Sequence, residues 1–171
     1  MMYYSKRGDK GYTDIKGRRV RKDNNKVEFL GALDKLNAYI GNALSEIKDE
    51  ELRETLEKIE YHIYLISAKA SGFITKDKEE EINGDLVKFL EEKTNYFGSK
   101  ISDISKFLRP NGSKSATLLN ICRTIARECE REAVKIDQNE LIIAYLNRLS
   151  SLLFVLFRYE NKLDNYEEEF Y

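Results

Sequence analysis

The segment Ser5–Ile15, SKRGDKGYTDI, gathers residue types that suit an anion. Gly8 and Gly11 permit close approach of backbone N–H groups, as in anion-binding nests. Ser5 and Thr13 carry hydroxyl donors, Lys6 and the nearby Lys22 carry positive charge, and Asp9 lies between the glycines. No hydrophobic period runs through the segment, so it stands ahead of the core. Charge agrees: residues 1–26 hold nine Lys/Arg against three Asp, while the whole chain is −1, which leaves the remainder at −7. A basic arm on an acidic body is expected to meet a phosphate ligand or a nucleic acid, unless it is only a solvated tail.

A second group of polar residues sits on helical spacings. Arg123, Arg127 and Glu130 fall at i, i+4 and i+7 and share one stripe, the pattern of either a surface ion-pair ladder or a site. In YLNRLSSLLFVLFRY, Asn147, Ser150 and Ser151 interrupt an otherwise apolar run. Asp34 and Asn37 do the same among the leucines of an earlier run. A helix apolar nearly all round is buried, and an unpartnered buried amide costs about 1–3 kcal/mol. Such residues suggest a shared ligand pocket or a polar subunit interface. Cys122 and Cys129 lie about two helical turns apart, beyond disulfide reach, and read as small core residues. His62 has no Cys or His at zinc-ligand spacing and reads as a helix-face residue.

The elements that must position these residues are helices. Val27, Leu30, Leu33, Leu36, Ile40 and Leu44 recur at spacings of three and four from Lys26 onward, and Leu52 to Ala70 repeat the pattern after Asp49. The charged KDKEEE is a solvated loop or a helix start, and a shorter helix is expected over Ile82 to Glu92. Pro110-Asn111-Gly112 excludes helix, and Ser113 or Ser115 can cap the next one, which carries Leu118, Cys122, Ile125, Cys129 and Ala133. The last helix is expected over Gln138 to Tyr159. No segment shows strand alternation. The fold class is therefore all-α, a bundle of about five helices over residues 26–161. Residues 1–25 form a flexible basic arm, expected to order only when an anion arrives, and 162–171 a mobile acidic tail.

The 171 residues suffice for one domain with a real core, and a single proline suits long helices. No run of eighteen apolar residues is present, so no membrane span is expected. No apolar stretch like a signal peptide stands at the start, and a cytoplasmic location is the default expectation. The arm has few interleaved aromatics beyond Tyr3, Tyr4 and Tyr12, and the body is acidic, which argues against nucleic acid.

Four blocks, in order, carry a resemblance from about Tyr4 to Asn161: SKRGDKGYTD, GRRVRKDNNKVEFLGALDKLNAYIG, FLRPNGSKSATLLNICRTIARECER and YLNRLSSLLFVLFRYEN. Together they are similar to the PduO-type ATP:cob(I)alamin adenosyltransferases. The resemblance implies a ferritin-like homotrimer of helical bundles with active sites between subunits. It implies attack of cob(I)alamin on the 5′ carbon of ATP, giving adenosylcobalamin and triphosphate. Such chemistry needs alignment and charge stabilisation rather than a nucleophilic Ser, Cys or His, because the cobalt is itself the nucleophile.

By resemblance the ATP contacts fall on Ser5, Lys6, Gly8, Asp9, Gly11, Thr13 and Lys22 in the arm, and on Arg127, Glu130 and Asn147 in the helices. Asn147 falls nearest a magnesium ion bridging the phosphates. Asp34 and Arg123 correspond to a salt bridge across the subunit interface, and Phe107 to the aromatic residue beneath the corrin ring. Arg127, Asn147 and Phe107 are thus the expected catalytic set. A reductase delivering Co(I) is the implied partner.

Several positions depart from the family pattern. Lys35 stands for Glu, Arg109 for Leu, Asn111 for Gly, Asn120 for His, Glu128 for Arg and Ser151 for Asp. Glu128 and Ser151 alter charge near the expected site, which leaves a catalytically weakened ATP or cobalamin carrier or sensor as the alternative reading. Asn111 is a mild change on sequence grounds, because asparagine tolerates left-handed backbone.

Overall fold

The structure is a computed structural model that describes residues 3–171, so the first two residues of the expected arm lie outside it. Its long helices begin where a polar side chain satisfies a free backbone N–H. Asn24 accepts from Lys26 N at 2.9 Å to start α1 (Asn25–Leu44). Asp49 accepts from Leu52 N at 2.9 Å to start α2 (Glu50–Ser71), which ends on left-handed Gly72. The charged KDKEEE forms a single-turn helix, α3 (Lys76–Glu80), and α4 runs Gly84–Gly98, further than the sequence pattern reached. Ser113 rather than Ser115 caps α5 (Lys114–Lys135), and Asn139 caps α6 (Glu140–Leu163).

Among the described residues the bundle thus has five long helices and a short sixth. Helix α5 packs against α1 and α6, α6 against α4, and α1 against α2. The predicted apolar stripes form the core: Leu33, Leu36 and Ile40 of α1, Leu56, Ile59 and Ile63 of α2, and Leu146, Leu149 and Leu153 of α6 are fully or almost fully buried. Cys122 and Cys129 are unpaired core residues, and burial pushes both thiols up to about 12. His62 is more buried than a surface helix position requires. Its Nδ1 lies 3.2 Å from the Tyr145 hydroxyl and its ring meets Phe89 and Tyr145 edge-on. Burial, with Lys58 second, lowers its pKa to about 4, so it serves as a neutral core hydrogen-bonding group.

By length and composition α6 would suffice to cross a membrane. In the bundle it packs against α5 and α4. Its last turns bury Arg158, Glu160 and Asn161, and burial first raises the Glu160 carboxyl above its ordinary value.

Two expectations need correction. The arm contains strands: β1 (Tyr12–Ile15) pairs antiparallel with β2 (Arg18–Arg21). The turn between them uses Lys16 (φ 46°) and Gly17 (φ 75°), the two consecutive left-handed residues that a tight hairpin demands. Ile15 is buried, and the Lys16 stem lies over Gly72, where a Cβ would collide with it. The acidic tail is the second correction, because it docks. Arg109 N donates to Glu169 O at 2.8 Å, Tyr171 N to Phe107 O at 3.0 Å, and Leu108 bridges Phe170 antiparallel. Acidic composition hid this because the anchoring cations stand outside the tail, Arg158 on α6 and Arg109 at 60 residues from Glu169.

Candidate functional site

The residues singled out in the sequence fall into three places. The first is the arm. Gly11 N donates to Gly8 O at 3.1 Å and Lys22 N to Gly11 O at 2.9 Å, so the segment closes into a turn against the hairpin base. The two glycines do different jobs. Gly11 has φ 76° and open space where a Cβ would be, so its requirement is backbone conformation. A Cβ on Gly8 would come to 3.2 Å from Lys22 Nζ, the movable end of an exposed side chain, so Gly8 lets that cation lie close without strictly demanding glycine. The Gly11 N–H is engaged within the turn. Thr13 pairs with Val20 in the ladder, and Asp14 holds Arg7 at 2.9 Å and Arg19 at 3.6 Å. Ser5, Lys6 and Asp9 are exposed around this turn, with Lys6 left-handed at φ 57°.

The second place is the facing stretch of α5 and α6. Asn147 Nδ2 donates to Glu130 Oε1 at 2.9 Å, and Asn147 Oδ1 accepts from Arg148 Nη1 at 2.9 Å. Arg148 reaches on to Glu91 of α4 at 2.9 Å, a link that the sequence reading missed although Arg148 stands beside Asn147. Ser150 is buried and donates back to Asn147 O at 2.9 Å, which answers one of the buried-polar questions. Arg127 is exposed and has no ion pair among the described residues. Arg123 is half-buried, its Nε bonded to Asn120 Oδ1 at 2.7 Å. Burial first, and Arg127 second, lowers its pKa from the usual arginine value. Asp34 is exposed and is not paired with Arg123 within the chain. Asn37 leaves its buried Oδ1 without a partner.

The third place is the loop 101–112. Phe107 is 88% exposed, so it is not the core aromatic that its type alone would suggest. Its neighbour Leu108 packs against the core. Asn111 does not adopt a left-handed backbone, so the reason offered for its tolerance does not apply; it donates from Nδ2 to Glu169 Oε1 at 3.1 Å. Gly112 is required by contact, since a Cβ there would collide with the Asn161 side chain, whose Oδ1 accepts from Ser113 N at 3.1 Å. The loop and the tail enclose a cavity of about 700 Å3 lined by Ile101, Ile104, Lys106, Arg158, Tyr166 and Phe170, among others.

Of the departures, Lys35 and Glu128 explain each other: Lys35 Nζ lies 2.6 Å from Glu128 Oε2, joining α1 to α5. Ser151 is exposed and reaches only Asn147 O, at 3.5 Å. Among the described residues no hydrogen bond or ion pair joins the arm (5–22) to α5 or α6. The basic arm and the Arg127–Glu130–Asn147 group thus share no polar contact within the chain among the described residues.

A family model described as cobalamin adenosyltransferase matches residues 3–160. The corrinoid adenosyltransferase of Bacillus subtilis is 36% identical over 169 residues, covering 94% of this chain and 87% of that protein. The corrinoid adenosyltransferase PduO of Citrobacter freundii is 30% identical, and the match covers 94% of this chain but 50% of that longer relative. Among solved structures, a phenylalanine-to-alanine variant of the PduO-type ATP:corrinoid adenosyltransferase from Lactobacillus reuteri, complexed with cobalamin and ATP, is similar with a TM-score of 0.88. It is 28% identical and the match covers 99% of both chains.

Proposed function

The chain belongs to the cobalamin adenosyltransferase family, and from that premise we propose that it transfers the 5′-deoxyadenosyl group of ATP to cob(I)alamin. The cobalt electron pair forms the Co–C5′ bond, the C5′–O bond breaks, and triphosphate leaves. The protein's task is to hold the two substrates in line and to stabilise the charge that develops on the leaving group.

The observation that carries the reading is Phe107. A phenyl ring 88% exposed on a loop tethered on either side forgoes burial worth about 1.5–3 kcal/mol, and a flat apolar ligand would recover it. The corrin ring is such a ligand. Phe107 beneath it would exclude an axial donor and ease reduction to Co(I). The basic arm supports the rest: Ser5, Lys6, Gly8, Asp9, Gly11, Thr13 and Lys22 wrap the triphosphate, with Arg127, Glu130 and Asn147 completing the nucleotide site. Asn147 Oδ1 and the Glu130 carboxylate are hard oxygen donors that fit magnesium, but no cluster of three His, Cys, Asp or Glu that could hold a metal exists among the described residues. The ion would therefore be held mainly by the phosphates, and when bound it neutralises charge on them. In this reading the site forms between subunits of a homotrimer, with Asp34 and Arg123 pairing across the interface; the lack of any hydrogen bond or ion pair between arm and helices within the described chain supports it. A cytoplasmic location and a reductase supplying Co(I) complete the proposal.

The Lys35–Glu128 pair removes one of the two motives for reading the chain as an inactive carrier, because Glu128 brings no unpaired charge to the site. The test is an anaerobic assay with ATP, magnesium and chemically reduced cobalamin, followed by the adenosylcobalamin spectrum. Product is expected from the native chain. Phe107→Ala, an exposed substitution, should leave stability within about 0.5 kcal/mol yet lower turnover at least about tenfold, a barrier change of about 1.4 kcal/mol. Absence of product from the native chain would overturn the reading.

A further inference from the structure

We propose that the C-terminal strap, residues 166–171, positions Phe107 for the corrinoid, with Glu168 and Glu169 as its anchors. The inference rests on the reading of Phe107 as the residue beneath the corrin. The strap is tied down at both of its ends. Tyr166 N donates to Asn161 O at 2.8 Å, and Tyr171 N donates to Phe107 O at 3.0 Å. Between them Arg158, only 6% exposed, grips Glu168 through two bonds of 2.8 and 2.9 Å. The same guanidinium donates to Ser102 O at 2.9 Å, so one buried arginine holds both the strap and the start of the loop. Bidentate, charge-assisted pairs of this kind are the strong ones.

Glu169 locks the other side of the loop. Its backbone oxygen accepts from Arg109 N at 2.8 Å. Its carboxylate takes Arg109 Nη1 at 3.2 Å and Asn111 Nδ2 at 3.1 Å. The residues on either side of Leu108 are thereby fixed in extended form around a single antiparallel bridge to Phe170. Side chains of a strand alternate between faces. Leu108 is packed inward against the core, so Phe107 must point outward. The strap sets that register, and without it the loop has no second strand to hold Phe107 out against the loss of burial. The two anchoring residues on the loop, Arg109 and Asn111, are both positions at which this chain departs from the family pattern.

The experiment compares native protein, Glu168→Ala, Glu169→Ala and the double variant, each also in a Phe107→Ala background. Three quantities are read: cob(II)alamin affinity by absorbance titration, ATP affinity by calorimetry, and amide exchange over residues 103–109. Glu169→Ala alone removes an exposed side chain and keeps the test valid if the double variant folds poorly. Loosened exchange is expected, with corrinoid affinity about tenfold weaker, equivalent to about 1.4 kcal/mol. ATP affinity should stay within about twofold. In the Phe107→Ala background the strap substitutions should add nothing further, and Glu169→Gln, which keeps its acceptor oxygen, should recover part of the loss. Unchanged corrinoid affinity despite loosened exchange would overturn the proposal, as would an undiminished effect in the Phe107→Ala background. If Phe107→Ala alone leaves corrinoid affinity intact, the underlying reading of Phe107 is what fails.

Discussion

At the scale of single residues, the informative pair is Lys35 and Glu128. Each alone reads as a worrying departure, an acid turned basic and a base turned acidic. The structure brings them to 2.6 Å across α1 and α5, so the pair keeps its summed charge with the signs exchanged. Their side chains are 44% and 39% exposed, so the pair is worth at most about 1 kcal/mol. Glu128→Arg alone places two cations together and should lower the melting temperature by about 1–4 °C. Adding Lys35→Glu should restore it. Thermal scans of the four proteins measure the coupling, and a double variant no more stable than Glu128→Arg would refute the compensation. The sequence could not reveal this pairing. The residues are 93 apart, and only the packing of α1 on α5 brings them level. The Asn147–Glu130 contact was more accessible, since both residues stood out as polar positions on late helices before the structure aligned them.

At the scale of elements, the helices were legible because apolar stripes and caps agree: Asn24, Asp49 and Ser113 start helices where the period begins. The hairpin was not. Its strands are four residues each, and basic side chains lie on both faces of RRVR, so alternation gives no signal. The turn did carry one, Gly17, whose φ of 75° a side chain rarely adopts. A lone two-stranded hairpin is marginal, so a strain of about 1–2 kcal/mol at its turn should unpair it. Gly17→Val is therefore expected to leave the melting temperature of the bundle unchanged, because the core lies in the helices. It should lower kcat/KM for ATP by about tenfold, the equivalent of about 1.4 kcal/mol, because Thr13 and Lys22 lose their fixed spacing. Steady-state kinetics with saturating corrinoid separates the cases, and an unchanged value would mean that the hairpin does not organise the arm.

At the scale of the whole molecule, the question is how two separated halves make one site. The arm leans on the end of α2, with Lys16 over Gly72, while Arg127, Glu130 and Asn147 lie on α5 and α6. Among the described residues no hydrogen bond or ion pair joins the two. The proposed trimer would bring the basic arm of one copy to the helix face of another, and it would also give the exposed Asp34 a partner in Arg123 of another copy. This makes a prediction that no single-chain site can satisfy. Lys22→Ala cripples the arm and Arg127→Ala cripples the helix face, so each homo-oligomer should be nearly inactive. Co-expressed, they should form mixed trimers in which some interfaces pair an intact arm with an intact helix face. If the subunits assort at random in equal amounts, about a quarter of the interfaces are intact, and purified mixtures should recover that order of the native rate. Mixtures no more active than the parents, in oligomers shown by mass spectrometry to be mixed, would place the whole site within one chain and refute the inter-subunit arrangement.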